Sequence, residues 1–258
     1  MTTKAADELR SISVLGRKGG VGKTRISHLL GWGFGMAGYN VVVIMTDVRD
    51  KMPAEHVEGR PYYVRGIQHD LSGRAEENET VRFDKSVKLI TQTISDMRRI
   101  KNSVIIYDGG ANRKYMDHAL ASLSDLVLLP VGTSEEDISV ARKDYDQIRD
   151  FLSAEREVLE QKGQKSPYNP ILAYIRNRWP GDRRREDTLF RRQWIRDFEE
   201  QDKPRILDVT VTDLLSSMDI AGDDPECSRQ VEMVYTELAD YLGNILGIRP
   251  PESVSQAA

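Results

Sequence analysis

The chain has 258 residues, 39% hydrophobic and 30% charged, with a formal net charge of −4, which suits one well-packed α/β domain with a solvated surface. Its single cysteine, Cys227, excludes an internal disulfide, a Cys-X-X-Cys redox pair and a thiolate zinc cluster, in keeping with a reducing cytoplasm. The opening MTTKAADELR lacks the apolar core of a secretion signal, and no run approaches the roughly eighteen apolar residues of a membrane span.

Short β-branched runs alternate with helical patterns along the chain, the sign of a parallel sheet covered on both faces. SISVLG (11–16) is the first predicted strand, followed by a helix from Thr24 to Ala37 that stops at Gly38. NVVVIMT (40–46) is the second strand. Residues 50–85 are rich in charge and turn formers and predict a loop-heavy excursion. Val87, Ile90, Ile94, Met97 and Ile100 mark a helix over Ser86–Lys101. SVIIYD (103–108) and DLVLLPV (125–131) are two further buried strands. Ser134 to Lys162 predicts a long charged helix broken near Ser153, and GQKSPYNP (163–170) a connector. PILAYIR (170–176) and RILDV (205–209) close the set of strands. Val231, Val234, Leu238, Leu242 and Ile245 form one stripe of a last helix, Arg229–Leu246. The expected organisation is one domain over 1–258, with its core at about 10–247 and a flexible tail at 248–258.

The chemistry is concentrated in GRKGGVGKTR, Gly16 to Arg25. It lies between a strand and a helix, as a phosphate loop does. Gly19, Gly20 and Gly22 let the backbone wrap closely, so that its N–H groups face phosphate oxygens beside the positive end of the helix. Lys23 would reach the β- and γ-phosphates of a nucleotide, and the Thr24 hydroxyl would ligate Mg²⁺. The first glycine of G-x-x-x-x-G-K-[ST] is missing: Arg17 stands there, with an additional Lys18 after it.

KGGVGKT resembles the deviant Walker A motif of the ParA/MinD family of P-loop ATPases. The resemblance implies ATP and Mg²⁺ as ligands, with Lys18, Gly19, Gly20, Val21, Gly22, Lys23, Thr24 and Arg25 around the nucleotide. It also implies a nucleotide-sandwich homodimer in which Lys18 touches the phosphates held by the other subunit. Asp47, at the end of NVVVIMTD, is similar to the second carboxylate of the family's D-x-D-P-Q segment and would activate the attacking water; it also reads as a plain turn residue. Met45 and Val48-Arg49 depart from that pattern. SVIIYDGG resembles the Walker B strand, so that Asp108 would hold Mg²⁺ through water. Gly109-Gly110 fall where many relatives carry Thr-Pro, which predicts a looser γ-phosphate sensor. Asn177 matches an asparagine that contacts adenine in relatives, and equally reads as the cap of a following turn. Lys18, Lys23 and Asp47 would be the catalytic set. The implied fold is a doubly wound, mostly parallel sheet with the nucleotide at the C-terminal ends of its strands.

Cysteine content separates the chain from the iron protein of nitrogenase and from Cys-X-X-Cys scaffold relatives. MinD-type relatives end in a basic amphipathic helix that docks on lipid; here GIRPPESVSQAA has no such character, and no membrane partner is expected. A cationic island occupies RNRWPGDRRREDTLFRRQWIR, where Arg183, Arg184, Arg185, Arg191 and Arg192 read either as a non-specific DNA surface or as a solvated helix face. The resemblance favours DNA, a ParB-like partner that stimulates hydrolysis, and a cytoplasmic protein that joins the nucleoid when ATP is bound. A MinD-like regulator and an ATP-dependent metabolic ligase are the other two readings.

Overall fold

The computed structural model describes residues 9–46, 55–67, 79–110, 114–164, 169–178, 205–211 and 237–248. In chain order the elements are β1 (Arg10–Val14), α1 (Lys23–Met36), β2 (Asn40–Met45), β3 (Tyr63–Gly66), α2 (Glu79–Met97), β4 (Ser103–Asp108), α3 (Lys114–Ser122), β5 (Leu126–Val131), α4 (Glu135–Gln161), β6 (Ile171–Asn177) and β7 (Arg205–Val211). Residues 237–246 are also helical. The seven strands form one sheet in the order β3-β2-β4-β1-β5-β6-β7, and every pairing is parallel.

Alternation along the strands divides the core into two layers. Ile12, Val14, Val41, Val43, Val104 and Ile106 face α1 and the 237–246 helix, whose Leu238 and Leu242 pack there. Val42, Ile44, Ile105, Tyr107, Val127 and Leu129 face α2, α3 and α4. The fold is therefore doubly wound, with β1 at the centre and helices on both faces.

Most predicted strands match their observed ranges within a residue or two. The structure departs from the expected elements in three places, two additions and one correction. The stretch 50–85 is not all loop: it holds β3, which buries only Val64 of its four residues, and the start of α2. Helix α3 was not anticipated, because in nine residues its inward groups are few, with Met116, Leu120 and Ala121 in the core, too short for a periodic signal. Helix α4 runs unbroken through Ser153 for 27 residues; serine costs a helix interior only a few tenths of a kcal/mol, about what its neighbours repay.

Glycines in α1 answer to packing. The segment carrying Pro61 and Tyr62 lies directly on this helix: a Cβ at Gly35 would fall 2.4 Å from the Pro61 carbonyl oxygen, and one at Gly31 3.0 Å from the Tyr62 ring. The Tyr62 hydroxyl hydrogen-bonds His28 Nδ1 at 2.7 Å, and Arg60 sits 5.0 Å from the ring centroid. Gly35→Ala is expected to lower stability by about 1–3 kcal/mol through overpacking, despite a helix-propensity gain of about 1 kcal/mol. Thermal unfolding checks this, and a raised midpoint would contradict the close approach.

Candidate functional site

The central strand β1 delivers the chain into the loop Leu15–Gly22, and α1 starts at Lys23 with no acidic residue in its first turn. Such a helix start favours an anion. The neighbouring β4 ends at Asp108, in register with Val14. Asp108 is wholly buried, and Ser27, one turn into α1, donates to its Oδ1 at 3.3 Å and to the Lys23 carbonyl at 3.1 Å. Sequence reasoning missed Ser27; its position four residues after Lys23, on the same helix face, was the available signal.

The loop closes on its own lysine. Lys23 is 7% exposed and its Nζ donates to the Lys18 carbonyl at 2.8 Å. The opposite side is open: a Cβ on Gly19 or Gly20 would meet nothing within 4 Å. Thr24 and Arg25 are half-buried at the first turn of α1. An anion-seeking helix start thus stands beside a buried carboxylate and a hydroxyl, a donor set that fits a phosphate with a divalent cation next to it.

Lys18 points away from this cradle. Its Nζ lies 2.7 Å from Asp137 Oδ1 and 3.1 Å from Glu136 Oε2, both in the first turn of α4. Asp137 is fixed there by a capping box, its own N–H donating to Ser134 Oγ at 3.0 Å. The hydrogen bond to Asp137 raises the Lys18 pKa above the usual lysine value; partial desolvation opposes it and Glu136 reinforces it. Desolvation alone would raise Asp137, but the hydrogen bonds from Lys18 and Ser134 outweigh it and leave its carboxyl below the usual range. A lowered acid loses its contribution only as pH falls through its folded value, and a raised base only as pH rises through its own. The stability difference between the wild type and Glu136→Gln/Asp137→Asn is therefore expected to stay flat from about pH 5 to pH 9 and to shrink with added salt. Chemical denaturation across that range checks it; a step near neutrality would refute the assignment.

Asn177, at the end of β6, is 1% exposed, and its Nδ2 donates to the Val21 carbonyl at 2.7 Å. That bond joins the end of β6 to the phosphate loop. Asp47, and the arginines Arg183, Arg184, Arg185, Arg191 and Arg192, lie outside the described residues.

No protein-family model matches the sequence, and no curated protein matches it. Solved structures do. The pNOB8 ParA bound to nonspecific DNA superposes with a TM-score of 0.54 at 16% identity, over 93% of this chain and 99% of that one. The MinD cell division protein of Aquifex aeolicus gives 0.53 at 14% identity, over 94% and 98%. The septum site-determining protein MinD of Pyrococcus horikoshii, complexed with Mg-ADP, gives 0.52 at 15% identity, over 92% and 98%.

This chain has the ParA/MinD fold.

Within the ParA/MinD fold the sequence departures have plain structural roles. Met45 is 1% exposed and belongs to the core under α1. Next to it the wholly buried Thr46, which sequence reasoning passed over, joins two strand ends: its Oγ1 donates to the Asp108 carbonyl at 2.8 Å and accepts the Gly110 N–H at 3.2 Å. Gly109 donates to the Val14 carbonyl at 3.0 Å, and a Cβ there would lie 2.8 Å from Leu15 Cδ2. The glycine pair expected to loosen this corner is buried and bonded at both N–H groups. A proline at 110 would lack the donor that Thr46 receives.

Proposed function

We propose that this chain is a single-domain, Mg²⁺-dependent ATPase of the ParA type, which positions a plasmid, a chromosome region or another large cargo from the cytoplasm. The observation that carries the reading is the KGGVGKT loop at the end of the central strand, with Lys23 enclosed by it and Lys18 turned outward. Lys23 and the loop N–H groups would bind the β- and γ-phosphates, and Asp47 would orient the attacking water. Thr24, and Asp108 through water, would hold Mg²⁺, which supplies charge neutralisation on the phosphates. Asn177, close beside the loop, would contact the base.

Lys18 of each subunit would leave Glu136 and Asp137 for the triphosphate on the other. Two carboxylates must then be exchanged for a more highly charged anion, so the unliganded chain favours the monomer and ATP favours the dimer. The dimer would bind DNA without sequence preference through Arg183, Arg184, Arg185, Arg191 and Arg192, and a ParB-like partner would stimulate hydrolysis and release it. ParA and MinD structures superpose about equally well, so the choice over a MinD-like role rests on the arginine-rich stretch, and the ParA neighbour bound to nonspecific DNA is in keeping with it. No helix among the described residues is long and apolar enough to cross a membrane.

Fluorescence anisotropy on an unrelated duplex tests the reading, with no nucleotide, ADP, ATP and a slowly hydrolysed ATP analogue. Binding is expected only with ATP or the analogue, falling steeply with salt, and lost in Lys18→Ala and in Arg183→Ala/Arg184→Ala/Arg185→Ala. An ATP-bound dimer with no affinity for DNA would reject the partition role; association with anionic vesicles would then mark a MinD-like one.

A further inference from the structure

Arg17 stands where the phosphate-loop pattern has its first glycine, and the structure shows what holds it. Asp144, in the middle of α4, is 5% exposed. Its Oδ2 accepts the Arg17 backbone N–H at 2.9 Å, and its Oδ1 pairs with the Arg17 guanidinium Nε. A Cβ on Gly16 would lie 3.5 Å from the same Oδ2. Both carboxylate oxygens are therefore committed to one residue of the loop. A buried carboxylate is tolerated only where its donors offset the lost hydration, and here those donors are the backbone and side chain of Arg17.

The direction of this tie matters. Asp144 reaches the loop from α4, on the sheet face opposite α1. Its helix is firmly seated there: Ala141 and Ile148, three and four residues to either side, are in the core, and Tyr145 stacks on Tyr174 with centroids 5.2 Å apart. The loop is thus anchored at one end by α1 and at the other by a rigid element across the sheet. The angle at which the chain leaves β1 decides where the N–H groups of residues 18–22 point, and groups already aimed at a phosphate need no ordering when it arrives. The same contact draws the Arg17 guanidinium towards α4, leaving the cradle to Lys23.

We propose that Asp144 is a positioning residue for nucleotide binding, acting through Arg17 to hold the phosphate loop in its receptive form. The inference rests on the ATPase reading above. The test measures the dissociation constant of a fluorescent ATP analogue with Mg²⁺, steady-state ATP turnover, and amide hydrogen exchange of residues 16–22 without nucleotide. Asp144→Ala is expected to weaken binding about tenfold, or 1.4 kcal/mol, to raise KM, and to leave kcat within about twofold. Asp144→Asn, which keeps an oxygen for the Arg17 N–H, should recover part of the loss. Arg17→Gly/Asp144→Ala should bind no more weakly than Asp144→Ala alone, since the two act as a unit. Ile148→Val, in the same helix, controls for stability and should lower the melting point without changing affinity.

Unchanged affinity in Asp144→Ala, losses that multiply in the double variant, or an equal loss in Ile148→Val would each overturn the proposal. If the wild type fails to bind the analogue, the ATPase reading falls. The tie is then judged by hydrogen exchange: faster exchange of the loop in Asp144→Ala upholds the anchor, and unchanged exchange removes it.

Discussion

Gly22→Ala is expected to destabilise the protein by about 2–5 kcal/mol and to abolish measurable nucleotide binding. Gly22 is the N-cap of α1, with φ at 91° and ψ at 15°. A side chain in this left-handed region costs roughly 1–2 kcal/mol. Its Cβ would also fall 2.2 Å from Asn177 Nδ2. Asn177 is enclosed and bonded to the half-buried Val21, so moving it leaves that carbonyl and the Asn177 amide short of partners, at about 1–3 kcal/mol. The substitution therefore deforms the loop at the point where helix, glycine turn and β6 meet. Thermal unfolding and binding of a fluorescent ATP analogue measure the two effects. Gly22→Ala/Asn177→Ala should be no less stable than Gly22→Ala, because the clash is removed with its partner. A Gly22→Ala protein that melts and binds like the wild type would show that the loop does not hold this geometry.

Thr46→Val should separate turnover from binding. Valine keeps the volume, but the buried Gly110 N–H loses its acceptor and Asp108 loses a donor to its carbonyl. The expected cost is about 1–3 kcal/mol of stability. The strand ends joined by Thr46 carry Asp108 and lead into Asp47, so a displaced corner should slow ATP hydrolysis by about tenfold, equivalent to 1.4 kcal/mol. Nucleotide affinity, set mainly at the phosphate loop, should change much less. Thr46→Ser retains the hydroxyl and should restore most of the rate. Equal turnover in wild type and Thr46→Val would show that this corner has no part in the chemistry.

The phosphate loop was legible because its signal is local. A strand, close-set glycines, a lysine and an amphipathic helix follow each other within a few turns of chain, and each residue type has its own steric or electrostatic reason. Strands β2, β4 and β5 were legible for a related reason: they are buried on both faces, so they appear as unbroken apolar runs. Helix α3 and strand β3 were not, since each turns too few residues inward to give a period. Thr46 escaped notice because a single hydroxyl in an apolar segment acquires meaning only from the group opposite it, here Asp108; Ser27 was marked only by its spacing from Lys23 and takes its role from the same residue.

By itself, then, the sequence determined the class of fold, the phosphate loop and the presence of a second lysine within it. Those depend on neighbours along the chain, where spacing alone brings groups together. Only the tertiary structure decided where the unusual loop residues go. Lys18 rests on Glu136 and Asp137, Arg17 on Asp144, and Asn177 on Val21, pairs separated by more than a hundred residues. Contacts of that kind depend on strand order and on which face of the sheet each helix covers. The parallel arrangement that sets β5 beside β1 and β6 one strand further on brings α4 and Asn177 up to the loop, and no local pattern of residues encodes that meeting.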